Sequence, residues 1–245
     1  MKFDKHFFDE LESSNDYLLE KVGESDLAEG YTVVCAFQTK GKGQGGGVWE
    51  SEKNKNLLFS FLLRPKFLNI SSQFYINIIT SLALADTVRS LFIEDLVKIK
   101  WPNDIYVGDK KIAGILIENA IQGNQFEWVV VGIGLNVNQK RFQSDAPNPI
   151  SLVELLEEVT PLDEVLSIFE SQFARRYAQL QSGDFDGLKF DYLALLYQYK
   201  EWKNYRSNNE EFQGRILGID QYGFLRMETP NGIRSFDVKQ LEYLK

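Results

Sequence analysis

Cysteine, histidine and positive charge are scarce in this chain of 245 residues. A single cysteine permits no intrachain disulfide and suits a reducing compartment. It is Cys35, inside the apolar run YTVVCAF, where a buried core side chain is expected rather than a reactive thiol. No cluster of histidine and aspartate marks a dedicated metal site. Lysine and arginine number 27 against 35 aspartates and glutamates, a net charge of −8. Nucleic-acid affinity comes mainly from neutralising phosphates with Lys and Arg, so no nucleic-acid partner is expected. No apolar run approaches the ~18 residues of a membrane span. The opening MKFDKHFFDE has no long apolar core of a signal peptide. The expectation is a cytoplasmic protein without a membrane partner.

What is present is a chain 44% hydrophobic, enough to bury a sizeable core as one large or two unequal domains. It is organised around KIKWPNDIYVGDKKIAGILIE, residues 98–118. Segments 97–100 and 112–118 read as strands, with 104–107 between them. Gly108-Asp109 suits a two-residue type II′ turn. Lys110 and Lys111 follow, and since strand neighbours point to opposite faces, only one of them can enter a site. Trp101-Pro102-Asn103-Asp104 interrupts the strand pattern with a turn.

Before this core, a short strand is expected over 7–11. Ser13 or Ser14 caps a helix over 15–28, with Asp16 favouring its positive end. A strand over 31–38 leads into QTKGKGQGGGVW, with glycines at 41, 43, 45, 46 and 47. Such a loop lets backbone N–H groups approach a ligand anion, and GxxxxGK[ST] is absent, so it is no Walker loop. NLLFSFLLR, 56–64, reads as a buried strand. A long helix over 71–92 carries the stripe Phe74, Ile78, Leu82, Ala85 and Val88. Gly123-Asn124 turns into a strand over 126–137, in which Gly132 and Gly134 allow close approach of a ligand or backbone. A short helix is expected over 151–158. Another follows with Thr160 as N-cap and Pro161 at N1, its stripe being Leu162, Leu166, Phe169, Phe173, Tyr177 and Leu180. A further helix covers 184–199. From about 208 the texture changes to short strands over 214–219, 224–228 and 233–238, with Asn231-Gly232 a hairpin signal. Some 40 residues bury too little to stand alone, so a small barrel packed on the main domain is expected, dividing the chain into 1–205 and 206–245.

Five pieces in order resemble biotin protein ligases, which join biotin to carboxylase carrier proteins: ESSND (12–16), QTKGKGQGGGVW (38–49), KWPND (100–104), KKIAG (110–114) and VGIGLNVN (131–138). The resemblance implies an α+β fold: a class II synthetase-like mixed sheet flanked by helices, plus a C-terminal SH3-like barrel. It implies biotin activation with ATP to biotinyl-5′-AMP, then transfer to a lysine of a biotin carboxyl carrier protein, with Mg2+ accompanying ATP. Lys111, Asp104 and Lys42 are the implied catalytic groups. Asp104 would orient the incoming lysine or take its proton; its structural alternative is to cap the WPND turn. The implied biotin site is Ser13, Ser14, Asn15, Gln38, Gly41, Lys42, Gly43, Lys111, Gly114, Ile115 and Gly132. The implied nucleotide site is Lys42, Gln44, Trp49, Asn103, Lys111, Gly134 and Asn136. Trp49 would stack on adenine or serve as a core aromatic.

Two departures from the family pattern carry expectations. Lys42, Gln44 and Gly47 stand where many relatives carry arginines, and Gln44 and Gly47 lower the charge over the adenylate. Many relatives also begin with a DNA-binding domain, whereas the first ligand motif here starts at Glu12, so no repressor activity is expected. The rival readings are a lipoate-type ligase, a biotin-binding sensor that would not need Lys111, and an adaptor binding peptides through its barrel. An exposed strand edge could pair two copies into a homodimer, or take the carrier.

Overall fold

A computed structural model gives the structure of residues 1–91, 96–143, 148–238 and 240–244. Seven strands form one mixed sheet in the order β1 (Asp4–Phe8), β2 (Tyr31–Cys35), β3 (Leu57–Leu63), β7 (Gln125–Leu135), β6 (Lys110–Gln122), β5 (Asp104–Val107), β4 (Val97–Lys100). β1 and β2 run parallel and every other neighbouring pair is antiparallel. Helices α2 (Phe74–Leu91), α4 (Leu162–Gln181) and α5 (Phe185–Leu195) pack on one face, and α1 (Ser14–Glu24) packs on the other.

β3 is buried along its whole length because both its faces are covered. Its odd residues Leu57, Phe59, Phe61 and Leu63 join the helix-layer core, while Leu62 packs with Leu18 of α1, Val33 and Val130. β7 alternates likewise: Val129, Val131, Ile133 and Leu135 enter the helix-layer core. Gly132 and Gly134 therefore fall on the α1 face, beside Leu116 and Gly114 of β6. The site occupies this glycine-paved part of the sheet.

Several boundaries differ from expectation. The first strand covers Asp4–Phe8, not 7–11; as an edge strand it shows no apolar alternation to read. α1 stops at Glu24 because Ser25 folds back onto the Lys21 carbonyl through both its N–H and its hydroxyl. α2 begins at Phe74, after a single turn over Ile70–Ser72 capped by the Asn69 side chain; Phe92 lies outside the described residues. α3 (Leu152–Leu156) opens with a Ser151–Glu154 capping box. Pro161, not Thr160, is the N-cap of α4, because the Asn138 side chain holds both the Thr160 N–H and its carbonyl. The last helix ends at Leu195, where the chain leaves to pair with both sheets: Tyr197 N–H donates to Ile99 O and Tyr199 bridges Ile216.

The C-terminal unit is a five-stranded antiparallel SH3-like sheet, ordered β11 (Gly232–Phe236), β10 (Leu225–Thr229), β9 (Glu210–Ile219), β8 (Trp202–Ser207), β12 (Glu242–Tyr243). Its strand β8 runs across residues 205 and 206. WKNYRS is mostly polar and exposed, which hid this strand in the sequence. The barrel packs on the main domain as expected. Tyr205, Ile216, Leu225 and Met227 belong to the same buried cluster as α2 and α5, and Trp101 Nε1 donates to Gly223 O at 2.9 Å.

Candidate active site

Three irregular segments meet over the glycine-paved face: the start of α1, the loop 40–49 and the turn 101–104. Together with β6 and β7 they line a cavity with Ser13, Ser14, Asn15, Gln38, Lys42, Gly43, Gln44, Trp49, Asn103, Asp104, Lys111, Gly114, Ile115, Gly132 and Gly134. Of the residues singled out from sequence, the structure leaves Gly41 and Asn136 outside this lining. Gly41 accepts from the Trp49 N–H at the base of the loop. Asn136 donates its side-chain amide to Ile150 O and ties β7 to the 148–150 segment. The sequence did not single out Leu116 and Ile133, which also line the cavity, or Ser60 and Glu118 just behind it.

Lys111 enters the site because of a bulge. Pairing of β5 with β6 slips between Ile105↔Ala113 and Tyr106↔Lys111. Strict alternation would send Lys111 to the core face with Ala113 and Ile115. The extra residue reverses the parity and places Lys111 beside Gly114. The turn itself is as expected, with Gly108 at φ 59° joining Val107 to Lys110, and Lys110 exposed. Lys111 Nζ lies 2.6 Å from Asp104 Oδ1 and 5.5 Å from the centre of the Trp49 ring. Asn103 stitches the turn to β6, donating Nδ2 to Ile115 O at 2.6 Å and accepting the Ile115 N–H at 3.0 Å.

At the opposite end, Ser13 caps α1 by accepting the Asp16 N–H. Gln38 Oε1 accepts the Ser14 N–H at 2.7 Å. A backbone N–H can only donate, so the Gln38 Nε2 group is the one left for a ligand. Over the cavity, Lys42 and Val48 form a bridge closed by a single turn over Gln44–Gly46. Lys42 Nζ reaches Asp16 Oδ1 at 2.7 Å, and this hydrogen bond raises the lysine's pKa. The Trp49 indole lies on Gly134, where an added Cβ would come within 2.3 Å of the ring. Its Nε1 is buried with no hydrogen-bond partner among the described residues. The cavity is small, about 40 Å³, and open to solvent.

Just behind the turn, Lys100 lies between the Tyr106 and Tyr243 rings, 4.8 and 4.7 Å from their centres, and burial lowers its pKa. The KWPND segment thus joins the site to the barrel. Cys35 is buried, and burial pushes its thiol up to about 12. Among the described residues no group of three His, Cys, Asp or Glu side chains could hold a metal ion. No described helix is long and apolar enough to cross a membrane.

A lysine–carboxylate pair on bulged β structure, a hydrogen-bonding helix start and a glycine loop above them define a site for a small polar molecule and an anion. The biotin/lipoate A/B protein ligase family model matches residues 7–136, and the biotin protein ligase C-terminal domain model matches residues 204–238. The chain belongs to the biotin/lipoate A/B protein ligase family. It is homologous to biotin protein ligases in both units. It is 28% identical to the bifunctional ligase/repressor BirA of Bacillus spizizenii, over 96% of this chain and 73% of that protein. It is also 28% identical to a biotin–[acetyl-CoA-carboxylase] ligase of Paracoccus denitrificans, over 82% of this chain and 85% of the relative. The biotin protein ligase of Aquifex aeolicus, solved with biotin and ATP, shares the fold with a TM-score of 0.81 at 24% identity, covering 98% of this chain and 99% of that one.

Proposed function

We propose that the protein is an ATP-dependent biotin ligase that activates biotin as biotinyl-5′-AMP and transfers it to a lysine of a biotin carboxyl carrier protein. The observation carrying this reading is that the Lys111–Asp104 pair and the Ser13, Ser14 and Gln38 side chains face one cavity. A ureido group presents one carbonyl acceptor and N–H donors. Ser13 and Gln38 have donors to spare, and Ser14 lines the cavity beside them. The dithiolane of lipoate offers no N–H to such a site.

In the first step a biotin carboxylate oxygen attacks the α-phosphorus of ATP and pyrophosphate leaves. Two anions are brought together, so the cavity wall must supply positive charge where it develops. Lys111 is held for this by Asp104 and the Trp49 face, and Lys42 is a second cation on the loop. In the second step the carrier amine attacks the acyl carbon, AMP departs and an amide forms. The amine must lose a proton, and Asp104 is the carboxylate placed to orient it or accept that proton. Mg2+ would neutralise the ATP phosphates. The relative named for acetyl-CoA carboxylase supports a carboxylase carrier as acceptor. The outer edge of β1 is where a second copy would pair into a homodimer.

The test is incubation with biotin, MgATP and a carrier domain, followed by intact mass. The expected result is one biotinyl group on one lysine. No gain with several carrier domains, or lipoyl transfer in its place, overturns the reading.

A further inference from the structure

Behind the cavity, four polar side chains form a chain of hydrogen bonds. Asn15 Nδ2 donates to Glu118 Oε2 at 2.8 Å, Ser60 Oγ donates to Asn15 Oδ1 at 2.7 Å, and Ser14 Oγ lies 2.8 Å from Ser60 Oγ. Ser14, Asn15 and Ser60 are buried, whereas Ser60 and Glu118 do not line the cavity. The chain fits only above Gly132, where a Cβ would come within 2.2 Å of Asn15 Oδ1.

The direction of this chain is forced. An ionised carboxylate can only accept, so the Asn15 amide must turn its NH2 to Glu118 and its oxygen to Ser60. A hydroxyl has one proton. Ser60 gives its proton to Asn15, so the proton between the two serines must come from Ser14. The Ser14 hydroxyl is then left with lone pairs alone for the cavity. We infer that Glu118, acting through Asn15 and Ser60, is a positioning residue that fixes Ser14 as an acceptor and so selects a ligand bearing an N–H group at that point. This inference rests on the proposed biotin reading and names what sets its specificity: a ureido N–H satisfies Ser14, whereas a dithiolane leaves it unpaired in a buried site.

With glutamine in place of Glu118, the amide of residue 118 can donate as well as accept. Asn15 is then free to turn over, Ser60 to reverse, and Ser14 to present a proton. Ser60→Ala removes the middle link while leaving the Glu118 charge and its influence on Lys42 in place.

The experiment measures biotin affinity, ATP affinity and single-turnover adenylation for wild type, Glu118→Gln, Ser60→Ala, Ser14→Ala and the doubles Ser14→Ala/Glu118→Gln and Ser14→Ala/Ser60→Ala. Each single variant should weaken biotin binding about tenfold, the scale of a lost buried hydrogen bond. ATP affinity should stay within about threefold, and so should the rate at saturating biotin in Glu118→Gln and Ser60→Ala. The doubles should bind no more weakly than Ser14→Ala alone, since all act through one hydroxyl. Wild-type affinity in Ser60→Ala, or losses that multiply in the doubles, would overturn the inference. If Glu118→Gln does not fold, the Ser60→Ala cycle decides alone. Failure of the wild type to bind biotin would instead sink the functional reading.

Discussion

At the α1 end of the cavity, Ser14, Asn15 and Ser60 are 4%, 3% and 0% exposed, and each has its partners fixed within the fold. At the loop end, Gln44 and Gly47 are exposed, Val48 is 81% exposed, and the Lys42 ammonium pairs with the exposed carboxylate of Asp16. The first end is suited to a neutral polar group, where preorganised buried hydrogen bonds discriminate and an unpaired one costs most. The second handles phosphates that arrive, react and leave, so its charges must part and re-form. Substitutions at the two ends should therefore separate cleanly: losses of biotin affinity at one, changes in adenylation and retention at the other.

The largest effect is expected from Lys111→Ala. Adenylate formation should fall by roughly 10²-fold or more, the usual order for losing one preorganised charge-stabilising group. Biotin affinity should change little, and supplied biotinyl-AMP should restore part of the transfer step. Near wild-type pyrophosphate release would remove Lys111 from its role and blur the division between the ends. Next is Gly132→Ala at the α1 end. The new Cβ would meet Oδ1 of Asn15, whose amide is fixed by Ser60 donating to that oxygen and by Glu118 accepting from Nδ2. Overpacking of this kind costs about 1–3 kcal/mol. Biotin affinity should fall about tenfold while ATP affinity holds, as read by calorimetry. A parallel loss of ATP affinity would show that the ends are mechanically linked.

Gln44→Arg tests the loop end in the opposite direction. Gln44 lines the cavity and precedes Gly45 and Gly46, which take φ 71° and 86° and so absorb the strain of the turn. An arginine at 44 thus meets no backbone obstacle. Charge-assisted bonds are about twice as strong as neutral ones, so biotinyl-AMP should leave about fivefold more slowly. Stopped-flow tryptophan fluorescence measures this, with Trp49 beside the ligand. Equal or faster release would mean that Lys42 and Lys111 already hold the phosphate.

The readable parts of this molecule were those where local chemistry decides. Ser13 as cap, Gly108-Asp109 as turn and the stripe of α4 all follow from residue type and period. The resemblance of KWPND and KKIAG brought Lys111 and Asp104 together. What stayed hidden depends on long-range pairing. The bulge that turns Lys111 into the site is a property of the β5–β6 register, and either lysine alone satisfied the alternation. Ser60 sits mid-strand in an apolar run, and Glu118 lies far along β6. Their link through Asn15 exists only once α1 lies over β3 and β7 and Asn15 reaches Glu118 on β6. Strand β8 is hidden in the sequence because a barrel strand with one wet face resembles a polar loop.

The smallest effect concerns Asp16→Asn. Asp16 sits in the first turn of α1 and holds the Lys42 ammonium at 2.7 Å, with side chains 39% and 52% exposed. Exposed pairs of this kind contribute little, yet this one engages the loop's own cation before the phosphate arrives. Asparagine keeps an oxygen for the ammonium but removes the competing charge, and the Ser13 cap is untouched because it binds the Asp16 backbone N–H. The helix loses one favourable charge near its positive end, a small cost in stability. Biotinyl-AMP should therefore leave about twofold more slowly from Asp16→Asn. The difference should fade as salt rises towards ~1 M, where charges are screened within about 3 Å. It should vanish in a Lys42→Ala background, since the effect acts only through that ammonium. Faster release would reverse the roles: Asp16 would then aim Lys42 at the phosphate rather than compete for it, and the loop end would be preorganised like the α1 end.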